Sequence, residues 1–352
     1  MIQDVRLQQF RSYANESFEF EPGVNIIVGP NGSGKTNLLE ALLVACSGRS
    51  YRAKDSELVQ FEAPWARIDM QTDAHERVVK LVREGVDVVK KEFVVDDYSL
   101  RRLVQQRKIP VILFEPNHLQ LLHGSPERRR EYFDVILSEI KPGYAKLLRD
   151  FKRTLAQRNA LLKKQAYTKD QMFIWNVRLS ELAGQIASSR QEIIGTFNNR
   201  IEEVYQSLAV SKDIVEIQYH SACNSNEYSS HLLKLLEANE YRDRERGFTS
   251  VGPHRDDIVF FLRGREASTL ASRGETRTLL LSLKIIEMKL IEEAYDKQPI
   301  LLFDDVFSEL DGARRRALTE VMKDHQTFIT TTDADVVVQH FMQTSHIIPL
   351  TA

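Results

Sequence analysis

The chain carries a phosphate-binding loop near its start, and the acidic strand that such a loop needs lies near its end. The loop is Gly29-Pro30-Asn31-Gly32-Ser33-Gly34-Lys35-Thr36, followed by Asn37, and it fits G-x-x-x-x-G-K-[ST] in full. The acidic strand is Ile300-Leu-Leu-Phe303, which ends on Asp304 and Asp305. Lys35 and Asp304 stand 269 positions apart, too far for a compact nucleotide kinase. This spacing predicts an ATPase core split by an inserted domain, and 352 residues leave room for two or three domains.

Each residue type in the two elements has a chemical reason. Glycines let backbone N–H groups approach phosphates, Lys35 neutralises the β and γ charges, and Thr36 ligates Mg²⁺. Asp304 is placed to hold the same cation through water. Asp305 is placed to orient or activate the attacking water as a general base. The expected catalytic set is therefore Lys35, Asp304 and Asp305, with Thr36 and Asp304 for the metal. Residues 29–37 are expected to bind the nucleotide. A third element, Ser272-Arg273-Gly274-Glu275, precedes an apolar helix. It reads as a capping box, S-x-x-E, or as an anion site at a helix start that faces the γ-phosphate bound by a second copy.

The surroundings support an α/β head. Val24–Val28 is a continuous apolar run that enters the loop, and residues 37–46 continue as an apolar helix. Residues 66–104 turn β-rich and predict an antiparallel edge. From Pro116 the pattern becomes helical. Leu148, Phe151, Leu155 and Leu162 form one seam, and Trp175, Leu179, Leu182, Ile186, Ile193, Phe197 and Ile201 form another, close to a heptad. Two such helices joined by a short turn predict an antiparallel hairpin. The expected division is 1–115 for the first part of the head, 116–247 for an inserted all-α lobe, and 248–352 for the rest of the head. Later strands are expected at 258–262, 300–303, 327–331 and 346–350.

Composition narrows the class. Hydrophobic residues at 42% and charged residues at 28% suit a soluble globular protein, and a net charge of −2 gives no global basic field. Charge is uneven locally. Residues 141–164 hold eight Lys/Arg against Asp150 alone, which reads as a solvated helix face or a nucleic-acid surface. Cys46 and Cys223 are the only cysteines, so no disulfide framework or zinc spacing exists, in keeping with a reducing cytosol. Neither a signal-peptide pattern nor an apolar run long enough for a membrane span is present, and a cytoplasmic location is expected.

The loop, Ser272–Glu275 and Leu302-Phe-Asp-Asp-Val-Phe-Ser-Glu-Leu-Asp311 resemble the Walker A, signature, Walker B and D-loop elements of the SMC-type ABC ATPases. More narrowly, the chain resembles the RecF family. Phe10-Arg-Ser-Tyr13, Phe114-Glu-Pro116, Gly124–Arg129, Gln157-Arg-Asn159, Gly252–Asp257 and Thr330-Thr-Thr-Asp333 carry that likeness over nearly the whole chain. The resemblance implies a mixed-sheet head with a helical lobe, ATP and Mg²⁺ as ligands, and slow hydrolysis of ATP to ADP and phosphate. It also implies ATP-driven dimerisation on double-stranded, gapped or junction DNA near the nucleoid, and work with RecO and RecR in loading RecA. By position, Ser272 and Gly274 would contact the opposite subunit's nucleotide, with Arg273 and Glu275 beside them and Asp311 in the D-loop.

Departures exist. Asp305 stands where many ABC ATPases have Glu, and its shorter arm suits slow turnover. Thr332-Asp333 occupies the region of their switch histidine, no glutamine loop is evident before Gly124, and Glu275 replaces a commoner Gln. Arg49, Arg52, Arg128, Arg129, Arg130 and the basic stretch at 141–164 are candidate DNA contacts, with salt-sensitive, sequence-independent binding expected. His254 and Arg255 read as structural. The alternatives are the ATPase subunit of a membrane transporter and a nuclease of the overcoming-lysogenization type. Phe10–Tyr13 and the helical insert speak against the first. The second needs an acidic domain for which no room remains after Thr331.

Overall fold

The computed structural model describes residues 1–85, 87–164, 167–209, 211–224, 227–307, 310–332 and 345–351. Ser308, Glu309 and Asp333 of the motifs above lie outside the described residues. The chain forms two compact units, Met1–His118 with Met288–Ala352, and Leu119–Glu287.

The first unit opens with β1 (Ile2–Phe10), β2 (Tyr13–Glu19), β3 (Val24–Val28) and helix α1 (Lys35–Ser47). It continues through β4 (Trp65–Thr72), β5 (Glu76–Arg83), β6 (Val89–Val95), β7 (Tyr98–Leu100) and β8 (Val111–Phe114). Six of these strands form one sheet in the order β2-β1-β4-β5-β6-β7, every pair antiparallel. This is the antiparallel region read from the valine-rich stretch. Along β4 the buried positions alternate with half-exposed ones, as a sheet with one face on a core requires.

The second unit begins with α2 (Pro126–Ile140), α3 (Tyr144–Lys164) and α4 (Lys169–Ala209). Next come β9 (Val215–His220), α5 (Tyr228–Ala238), α6 (Glu240–Arg246), β10 (Asp257–Leu262) and β11 (Arg265–Glu266), and α7 (Arg273–Tyr295) starts in it. Helices α3 and α4 pack together across a short connection, as their seams predict. They do not stand as a bare hairpin, because Phe151, Leu179, Leu182 and Ile186 share a core with Tyr228, Leu232 and Leu236 of α5. The expected return to the head at 248 is corrected to Met288. The reason is strand pairing: β10 lies antiparallel to β9, with Val259 opposite Gln218, so 248–287 folds with the insert.

Many charges in this unit serve the fold. Arg158, one of the eight bases of the 141–164 stretch, is fully buried, bonded to Asn176 at 2.7 Å, Asp243 at 2.9 Å and Thr249 at 2.7 Å. Its neighbour Asn159 accepts from the backbone and hydroxyl of Thr249. The Gln157-Arg-Asn159 motif is thus a staple between α3 and the turn before β10. It was legible as basic but is not available to DNA. Arg190 grips Asp134 with two bonds of 2.8 and 2.9 Å and donates to the Pro253 carbonyl. Arg129 pairs with Asp257 through two bonds of 2.8 Å, and Arg130 donates to the Asp256 carbonyl. His254 contacts the Thr249 carbonyl, and burial pushes its pKa down to about 4, so it sits neutral. Arg255 stacks over Phe248 at 5.1 Å. Both have the structural roles expected.

The chain re-enters the first unit and adds β12 (Ile300–Asp304), helix α8 (Gly312–Met322), β13 (Thr327–Thr331) and β14 (Ser345–Pro349). These complete a parallel sheet in the order β14-β3-β13-β12-β8. Its strands read as continuous apolar runs because both faces are covered. Helix α1 touches β8, β12 and β13 of this sheet and β1, β4 and β5 of the other. It is apolar on nearly every side, from Leu38 to Cys46, as a helix wrapped in core must be. Each such leucine contributes about 1.5–3 kcal/mol by burial. The packing fixes the start of α1 against the ends of β3, β12 and β13.

Candidate nucleotide site

The parallel sheet brings the two distant motifs together. β3 ends at Val28 and delivers the loop, β12 ends at Asp304, and β13 runs between them. Gly34 has φ of +96°, and a Cβ there would meet the Tyr13 hydroxyl at 2.7 Å. Tyr13 donates to the Gly34 carbonyl at 3.0 Å. Only glycine serves at this crowded, left-handed position. Helix α1 thus starts without a side-chain cap, and its first turn holds no acid. That leaves an anion-attracting helix start with backbone donors and the positive end of the dipole.

Lys35 is 7% exposed, and its ammonium donates to the carbonyls of Gly29 at 2.7 Å and Pro30 at 2.9 Å. It arches over its own loop. Ser33 Oγ is buried without a hydrogen-bond partner among the described residues. A buried, unpaired hydroxyl beside a lysine suits an anionic ligand that supplies the missing acceptor.

Asp304 is the junction. Its Oδ1 accepts from Thr36 Oγ1 at 2.9 Å and from Thr330 Oγ1 at 3.0 Å, and its Oδ2 accepts from the Tyr51 hydroxyl at 3.0 Å. Three neutral donors hold one carboxylate without cancelling its charge. Burial, and then the Asp304 charge, push the Tyr51 hydroxyl above its ordinary range, so it remains a proton donor. The oxygens of Thr36 and Asp304 make a hard donor set, which fits Mg²⁺ beside phosphates. Asp305 follows with φ of +53°, in the left-handed region where Asp is among the few tolerated side chains. Its backbone N–H donates to Thr330 Oγ1 at 3.0 Å, which fixes the bend that ends β12.

A second layer ties down the start of α1. Glu40 is fully buried and accepts from Arg11 at 2.8 and 3.0 Å, from Arg52 at 3.0 Å and from Ser50 at 2.5 Å. Burial alone would raise its pKa, but the bonds from Arg11, Arg52 and Ser50 hold it below the usual carboxylate range. Arg52 also donates to Asn37 Oδ1 at 2.7 Å, and Asn37 donates to Ser12 Oγ at 2.8 Å. Arg52, a candidate DNA contact, therefore serves this layer. Sequence reading missed Tyr51 and Glu40, and took Thr330 only as part of the family-like Thr330–Asp333 stretch, with no role toward Asp304. Arg52, beside Tyr51, was read for its charge alone.

Ser272–Glu275 lies in the second unit. Ser272 N donates to Glu275 Oε2 at 2.7 Å, and Glu275 N donates to Ser272 Oγ at 3.2 Å, a reciprocal capping box. The Ser272 backbone, and then Arg263, hold the Glu275 carboxyl below its usual range, with Arg263 at 2.6 Å. Ser272 and Arg273 are exposed, and the Ser272 hydroxyl also bonds the Glu275 carboxylate. Asp311 caps α8, accepting from Arg314 N at 3.0 Å and pairing with the Arg314 side chain.

Comparisons with known proteins agree with this geometry. The family model described as the RecF/RecN/SMC N terminal domain matches residues 1–349. The DNA replication and repair protein RecF of Halalkalibacterium halodurans is 36% identical over 97% of this chain and 95% of its own. The chain belongs to the RecF family. A solved structure of the recombination mediator protein RecF with ATP, from the RecFOR pathway, superposes with a TM-score of 0.85 at 30% identity. It covers 94% of this chain and 92% of that one. The Smc head of Pyrococcus furiosus shares the fold, with a TM-score of 0.50 at 17% identity over 96% of this chain and 91% of that one. Membership of the RecF family sets aside the transporter-subunit alternative. Among the described residues, no helix is long and apolar enough to cross a membrane.

Proposed function

We propose that this RecF-family chain is an ATP-gated DNA clamp of replication and recombinational repair. The observation that carries the reading is the bond from Thr36 to Asp304, 268 positions away, beside Lys35 arched over its own loop. ATP would lie with its phosphates on the loop at residues 29–36 and Asn37 at its edge. Lys35 would leave its carbonyl partners for the β and γ oxygens. Thr36 and Asp304 would hold Mg²⁺, which when bound neutralises phosphate charge. Tyr51 and Thr330 would keep the Asp304 carboxylate in place. Asp305 would accept the proton of the attacking water, and its short arm favours slow turnover.

Ser272 and Gly274, flanked by Arg273 and Glu275, would face the nucleotide of a second copy, with Asp311 beside that joint. Two copies would close over two nucleotides while holding gapped or double-stranded DNA, and hydrolysis would reopen them. The ATP-bound relative is a recombination mediator of the RecFOR pathway, which supports work with RecO and RecR, and so indirectly with RecA. A cytoplasmic, nucleoid-associated location follows from that reading.

Asp305→Asn tests it. The variant is expected to bind ATP normally, to turn over about 10²- to 10⁴-fold more slowly, and to accumulate as a dimer. Sedimentation velocity with ATP, beside a phosphate-release assay, reads both properties. A monomer with wild-type turnover would refute the role.

A further inference from the structure

At the end of α1 opposite the phosphate loop, the first unit holds a cleft of about 760 Å³. It is lined by Ser47 and Gly48 of the α1 terminus and by Lys90, Lys91, Arg101 and Arg102, with Lys108 beside them. Two acids share the lining, Asp55 and Glu84. Asp55 is taken by Lys91 at 2.5 Å, and Lys91 also donates to the Gly48 carbonyl. Among the described residues, no side-chain hydrogen bond or ion pair engages Lys90, Arg101 or Arg102, and all three are exposed, although the Lys90 charge also acts on the nearby Glu92 carboxylate. The cleft is therefore electropositive, and its free cations sit on long, mobile arms.

The magnitudes select the ligand. An exposed cation attracts a single small anion by about 1 kcal/mol at 4 Å in water, too little for a site. A nucleic-acid backbone repeats its charge, and each phosphate neutralised releases condensed counterions. We propose that this cleft binds the phosphate backbone of a nucleic-acid strand, with Lys90, Arg101 and Arg102 as the contacts. The proposal rests on the DNA-binding reading above and gives it a place. The cleft lies about 20 Å from the phosphate loop along α1, so its residues stand outside the nucleotide chemistry.

The test is anisotropy of a labelled gapped duplex, with ATP present, from 50 to 200 mM KCl. Wild type is compared with Arg101→Ala/Arg102→Ala, with Lys90→Ala, and with Lys163→Ala/Lys164→Ala on the basic helix α3. The double arginine variant is expected to bind about tenfold more weakly at 100 mM salt, with a log–log salt slope smaller in magnitude by about 1.8, while ATP affinity is unchanged. Lys90→Ala, the milder change, is expected to lower the slope by about 0.9. An unchanged slope in both cleft variants, or a loss confined to the α3 variant, overturns the proposal and leaves the DNA reading intact. Wild type that binds no DNA at any salt overturns both. Loss of poly-glutamate binding with DNA binding retained would assign the cleft to an acidic protein segment instead and also overturn it.

Discussion

Two helices of this chain begin with their backbone donors handled in opposite ways. Helix α1 starts at Gly34 in a left-handed conformation, with no side-chain cap and no acid in its first turn. Helix α7 starts at Ser272, whose hydroxyl and backbone are both engaged by Glu275. The first start presents uncapped backbone donors and a lysine that would exchange its two carbonyl partners for the anion. The second is already satisfied, and an anion approaching it meets an ordered, exposed helix start whose remaining offer is the helix dipole. The difference fits a division of labour. The uncapped start would hold a nucleotide by itself. The capped one is stable alone and would engage only an anion presented by another molecule.

The contrast is sharpest at Lys35. Lys35→Met removes the only formal positive charge in the loop. It is expected to weaken ATP binding about 10- to 100-fold, the range of hydrogen bonds to charged groups. Equilibrium titration with a fluorescent ATP analogue measures it, and unchanged affinity in a folded variant would break the account of the uncapped start. A smaller effect is expected at the other helix. Ser272→Ala loses the cap on Glu275 N and is expected to cost about 1 kcal/mol of stability, read by denaturant unfolding, with monomer ATP affinity unaltered. A loss of monomer ATP affinity there would mean that the two starts are not independent.

How much of this was legible in the sequence depended on range. The loop and the acidic strand were readable because each is one short segment with a fixed spacing, and a strand that enters a glycine loop leaves few alternatives. The placing of Asp304 beside the loop followed from the same logic, whereas the parallel order of the strands that joins Thr36 to Asp304 came from the structure. Tyr51 was not readable, since a tyrosine between Ser50 and Arg52 has no spacing that marks it for a carboxylate 253 residues away. Arg158 was misread for the opposite reason. Its local stretch is basic, and nothing nearby announces Asp243 and Thr249 as partners. The domain boundary failed where β9 and β10 pair across the insert, a long-range register that periodicity does not encode.

The most direct test of the central claim, that Ser272 completes a nucleotide site built by another copy, is a mixing experiment. Chains carrying Ser272→Arg keep a working phosphate loop, and chains carrying Lys35→Met keep a working Ser272. Each variant alone is expected to lack ATP-dependent dimerisation and turnover. Mixed, they can build one composite site per dimer, in which ATP on the Ser272→Arg chain meets Ser272 of the other. The account predicts partial recovery of ATPase activity on mixing, with no more than half the sites active. No recovery across a wide range of ratios, with both variants folded and the Ser272→Arg chain still binding ATP, would contradict it.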